Sequence, residues 1–190
     1  TNEAYCGKFK YVANKTYTPT STDIIKFNTA VSRLNLDAKN GYYLMTYYSS
    51  SKTVYRVFDR QAFGKGDKKA LHQFTATGIG ISEGQTYQSS CIDYPYVYTV
   101  FGGAKGTVVN NDMPQLRIVD ARTGEQVHQL NFNFTEGDIQ ADDEFHEPET
   151  TSIYYEGDSK YLLQGFAFTS EISDTEPVYN KLYRLKIDNF

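Results

Sequence analysis

Apolar residues along this chain come in short alternating runs, each bounded by Gly, Asn, Asp or Ser. That rhythm is the signature of strands joined by tight turns, and helical spacing is almost absent. The pattern predicts strands at 42–48, 53–59, 96–103, 115–121, 126–134, 152–157, 161–168 and 181–187. Turns are predicted at "DAKNG" (37–41), "DARTG" (120–124) and "EGDSK" (156–160), which carry the residues that tight turns need. The segment "DRQAFGKGDKKALHQF" (59–74) reads as one helical turn or as a loop leading into a strand.

The pattern repeats. Stretches beginning at Val31, Gln88 and Glu149 each show a short polar start, a strand, a turn, a longer apolar strand, a variable polar loop and a further strand. Their starts lie 57 and 61 residues apart. A unit of this size with three or four strands predicts a β-propeller blade with generous loops, in an all-β chain. At this spacing 190 residues supply little more than three blades, whereas propellers typically have four to eight. The expectation is therefore a fragment of about three to four blades. Another chain or segment completing the propeller, or an open sandwich, are the alternatives. The leading segment 8–28 is placed to complete a neighbouring blade.

Composition adds limits. The net charge of −4 argues against nucleic acid, which needs a basic footprint. No apolar run approaches the roughly 18 residues of a transmembrane helix. Tyrosine is abundant, with 17 residues beside 12 Phe and no Trp; most of these rings read as strand filling, and some as contact residues with a polar tip. The two cysteines, Cys6 and Cys91, fit one disulfide in an exported protein or two thiols otherwise. The chain starts at Thr1 without a signal peptide, as a processed or trimmed chain would.

The candidate chemistry gathers around Asp142, Asp143, Glu144, His146, Glu147 and Glu149. Glu147 and Glu149 are two residues apart, so an extended segment would point both carboxyls the same way, as glycosidase acid/base work requires. Hard oxygen ligands also suit calcium, but EF-hand spacing is absent and one His among scattered acids defines no zinc site. A solvated acidic loop is the plainer reading, and no cofactor is expected. In a propeller the starts of the inner strands meet at one mouth. Gln88 and Glu149 would then be neighbours, either tying blades together or touching a ligand, with His146 bordering the same mouth. No nucleophile motif appears: "GIGIS" (78–82) lacks a Ser between its glycines, and "GKGDKK" (64–69) fails the P-loop spacing. The latter reads as a basic loop able to attract an anionic wall polymer. Asn14-Lys15-Thr16 and Asn133-Phe134-Thr135 match the N-glycosylation pattern.

The blade motifs resemble the helveticin J family of class III bacteriocins. The resemblance lies in "FNTAVSRLNLDAKNGYYLMTYYSSSKTVYRVFDRQAFGK", in "QSSCID…VYTVFGG" and in "EPETTSIYYEGDSKYLLQGFAFTS…NKLYRLKI", spanning about residues 27 to 187. It implies a five-bladed propeller-like domain, secretion, and recognition or killing of related bacteria through a cell-envelope glycan or wall polymer. It carries over no catalytic residue. The competing readings are a non-lethal carbohydrate-binding module, such as a phage tail or adhesin domain, and a hydrolase using Glu147, Glu149 or His146.

Overall fold

The structure is a computed structural model that describes residues 4–7, 12–27, 33–49, 52–75, 86–102, 114–132, 145–169 and 179–188. It is all-β, built of four antiparallel sheets with one short α-helix and one 3-10 turn (Ser21–Asp23) among the described residues. The chain divides into two compact units, Thr1–Ala76 and Thr77–Phe190.

In the first unit, β1 (Ala4–Gly7) pairs with β2 (Ile24–Phe27), and β3 (Arg33–Asp37), β4 (Tyr42–Ser49), β5 (Lys52–Asp59) and β6 (His72–Thr75) form a four-stranded meander. The ambiguous segment 59–74 does both things expected of it. Asp59 accepts a hydrogen bond from the Ala62 amide at 2.8 Å, capping α1 (Arg60–Gly64), and the chain then enters β6. Phe63 of α1 stacks on Phe27 of β2 (5.8 Å, 15°) and meets Phe58 and Tyr43, so helix and small sheet close one face of the meander.

In the second unit, β7 (Thr86–Asp93), β8 (Tyr96–Gly102), β9 (Gln115–Asp120) and β10 (Gln126–Asn131) form a second four-stranded meander. A third has three strands: β11 (Phe145–Glu156), β12 (Ser159–Thr169) and β13 (Tyr179–Lys186). Tyr98, Val100, Leu116 and Ile118 of one sheet pack against Leu162, Phe166 and Phe168 of the other, with Ile187 just beyond β13. Residues 97–101 of β8 are all buried, as are Leu44, Met45 and Thr46 of β4. Strands buried on both faces explain why these stretches read as near-continuous apolar runs.

Two turns repeat one chemistry. In "DAKNG", Asp37 accepts from the Asn40 amide and side chain at 2.9 and 3.0 Å, and Gly41 takes φ 81°. In "DARTG", Asp120 accepts from the Arg122 amide at 2.9 Å, and Gly124 takes φ 77°. An Asp that folds the turn onto itself and a Gly that supplies positive φ are what each loop needs.

One expectation needs correction. Residues 145–149, read as acidic loop, belong to β11, which begins seven residues before the expected strand at 152. Segment 8–28 contributes β2, which pairs with β1 in a two-stranded sheet of its own. Val31 and Ser32, Asp142 to Glu144, residues 78–82 and the Asn133 motif lie outside the described residues. Cys6 and Cys91 are both thiols rather than a disulfide; Cys91 is in the core between the two sheets of the second unit.

Candidate functional site

The first strands of the two meanders in the second unit, β7 and β11, are edge strands of separate sheets that lie against each other. Side chains join them at three levels. Gln88 Nε2 donates to Glu147 Oε1 at 3.2 Å. Ser89 Oγ and Thr151 Oγ1 are 2.5 Å apart. The Tyr155 hydroxyl donates to Asp93 Oδ1 at 2.5 Å. Residue numbers rise together along both strands, so β7 and β11 run parallel.

At the middle level the proton directions are fixed. Thr151 donates to Gln164 Oε1 at 2.6 Å, and Gln164 Nε2 donates to the Gly165 carbonyl at 2.9 Å. Thr151 has one proton, so Ser89 donates to it. Gln164 is completely buried, and this relay satisfies its amide. The serine here meets another hydroxyl, not a general base that would activate it as a nucleophile.

At the third level Lys160 Nζ lies 2.9 Å from Asp93 Oδ2 and 3.1 Å from the Tyr98 hydroxyl. Both charged side chains are nearly buried, at 13% and 12% exposure. Burial, then the Asp93 charge, push the Tyr98 phenol well above its ordinary range. Sequence reading missed this cluster, whose members lie in three separate runs; the only local signal was a Lys following a turn in an otherwise apolar strand.

Gln88 and Glu149 share an unexpected property. Tyr87 and Ser89 pair with the adjacent residues Phe101 and Val100, which leaves Gln88 as the extra residue of a β-bulge. Pro148 and Thr150 pair with Phe166 and Gly165, which leaves Glu149 in the same role. The bulge lies beyond five ladder pairs from the hairpin in β7 and beyond seven in β11. Bulges commonly re-aim a side chain at sheet edges and near sites.

The seam places the predicted residues as follows. Gln88 meets a carboxylate of β11, but that of Glu147, two residues before the expected Glu149. The bulge interrupts the two-residue alternation between Glu147 and Glu149, so strand periodicity no longer aims both carboxyls one way. Glu149 is exposed and Glu147 half-buried. His146 pairs with Phe168 in the ladder, and its side chain lies outside the described ones. Below them, Pro148 packs on the end of β8: a Cβ at Gly102 would come within 2.6 Å of its Cγ. Among the described residues no group of three His, Cys, Asp or Glu is arranged to hold a metal. No described helix is long and apolar enough to cross a membrane.

Compared with known proteins, the chain matches no family model and no curated protein sequence.

Proposed function

We propose that this chain is a propeller-type array of blades from a secreted antibacterial protein, and that it recognises a cell-envelope glycan or wall polymer of a target bacterium. The observation that carries the fold part is the succession of antiparallel meanders whose first strands, β7 and β11, run side by side and parallel. Inner strands of neighbouring propeller blades have that relationship. The helveticin J resemblance of the same blade motifs supports the antibacterial part. The two bulges support a recognition rim at the start of the inner strands, with Gln88, Glu149 and His146 as its contact residues. The exposed loop 65–69 after α1 adds a basic patch suited to an anionic polymer.

The test is binding and growth inhibition on Gram-positive cells. Purified protein that pellets with the cells and halts their growth supports the reading. Protein that neither binds nor inhibits any such strain sinks it.

The seam hydroxyls bond one another and an amide, an arrangement that activates no nucleophile and so speaks against a hydrolase that uses them. A non-lethal carbohydrate-binding module is the second reading. Binding without killing selects it.

A further inference from the structure

The outward face of β11, β12 and β13 is the one the structure singles out beyond the seam. Counted from their hairpins, Asp93–Tyr96 and Glu156–Ser159, the second and third meanders correspond pair by pair over their first five pairs. Cys91, Tyr98 and Ile118 form one cross-strand row in the second meander. Tyr154, Tyr161 and Lys186 form the matching row in the third. By the same count Arg184 stands where Leu116 does.

The two rows have opposite fates. Cys91, Tyr98, Leu116 and Ile118 are buried in the core against the neighbouring sheet. Tyr154 is 42% exposed, and the Arg184 and Lys186 side chains are 46% and 59% exposed. A sheet-docking face has become one with two tyrosines and two cations. Arg184 pairs with Glu156 and Lys186 pairs with Asp188 at 2.9 Å. Arg184 also covers the Tyr161 ring at 3.8 Å from its centroid. Tyr154 sits 6.4 Å from that ring, tilted by 36°.

Each cation here has its own anion, so the complement of this face carries no net charge. Another protein sheet packed on it would desolvate two ion pairs, a cost that only a partner with matching charges offsets. An uncharged sugar chain has what the face matches. Its ring faces are apolar enough to lie on Tyr154, and its hydroxyls both donate to Glu156 and accept from Arg184.

We propose that Tyr154, with Glu156 and Arg184 beside it, is a binding site for an uncharged glycan, on the face of β11–β13 that no other described sheet of the second unit covers. Tyr161 is the rigid base that holds Arg184 in place. The proposal rests on the recognition reading above and adds to its rim a second place, with a ligand class of its own.

The test is calorimetric titration of the intact chain with two neutral probes, an N-acetylglucosamine hexamer and a glucose hexamer. At least one binds, with little dependence on salt. Tyr154→Ala weakens it about tenfold, the size of a modest contact truncation, while Tyr154→Phe stays within about twofold. Unchanged melting of Tyr154→Ala shows that the fold is intact. The proposal falls if neither hexamer binds, or if Tyr154→Ala binds as the unaltered chain does. It also falls if Tyr154→Ala abolishes self-association instead, which would give the face to a second copy. Cell binding separates the two readings. Cells bound equally by the unaltered chain and Tyr154→Ala leave the envelope reading standing and remove this site. A hexamer bound through Tyr154 with no cell binding does the reverse.

Discussion

Lys160 and Asp93, 67 residues apart, form a nearly buried ion pair that joins the second and third meanders at the hairpin end of their seam. Tyr155 and Tyr98 bond the same pair. Removing one member leaves the other charged and poorly solvated, which costs more than the pair itself contributes. Lys160→Met is expected to destabilise the protein by about 3 kcal/mol. In urea the midpoint falls with an unchanged slope. Asp93→Asn combined with Lys160→Met costs less than the two single changes added. An unchanged midpoint for Lys160→Met would show the pair to be ornamental.

The relay Ser89–Thr151–Gln164 predicts a sharp difference between two small substitutions. Thr151→Val keeps the shape but strands the Ser89 hydroxyl and the buried Gln164 carbonyl. That costs about 1–3 kcal/mol. Thr151→Ser keeps the hydroxyl and costs less. Equal losses, measured by thermal melting, would place the effect in packing rather than in the relay.

Gly102 is small because Pro148 occupies the space beside it. Gly102→Ala drives a methyl to within 2.6 Å of the proline Cγ and is expected to destabilise by about 1–3 kcal/mol. Adding Pro148→Ala removes the colliding atoms, so the double variant should recover part of the loss. Additive losses would mean the two residues do not collide.

Alkaline titration followed by tyrosinate absorbance should resolve two extremes. Hydrogen bonds from Arg184 and then Ser159 lower the Tyr161 phenol, so it ionises among the first, and Tyr161→Phe removes that early component. Tyr98 holds its proton more tightly in the folded chain than in the unfolded one, whose phenols titrate near about 10. Its contribution to stability is complete below about pH 10 and is lost as the pH climbs above that. Tyr98 therefore ionises only with unfolding. A Tyr98 phenol that titrates reversibly at ordinary pH in the folded protein would contradict the buried cluster.

Glu149 sits in a bulge with an exposed side chain. Glu149→Gln should change stability by no more than about 0.5 kcal/mol. If the rim recognises a ligand, binding to target cells weakens while melting stays put. Full binding by this variant removes Glu149 from the rim.

Much of this was legible in the chain. The alternation at 42–48 and 53–59 fixed β4 and β5 almost to the residue, because half-buried and buried strands leave a period-two or continuous apolar trace. Asp37 with Gly41 and Asp120 with Gly124 announced their turns for the same reason: few residues can make them. The start of β11 was hidden, because Glu147, Pro148 and Glu149 carry no apolar trace while sitting on an edge strand, where Pro is tolerated. The Gln88 and Glu149 correspondence was readable as a spacing, but its physical form, a bulge in each strand, was not. A bulge is a property of two strands paired, and one strand's sequence does not display it. The pairing of Lys160 with Asp93 was unreadable for a related reason: a lone Lys after a turn was its local trace, and nothing in that trace points to a partner 67 residues away.

The bonds found between β7 and β11 run from side chain to side chain, while each strand keeps its own ladder. A join of that kind can be rewritten by point substitution without disturbing the pairing of either sheet. Neighbouring units could therefore diverge, duplicate or be exchanged during evolution at the cost of a few polar residues, and the furrow between them is where new specificity would be cheapest to acquire.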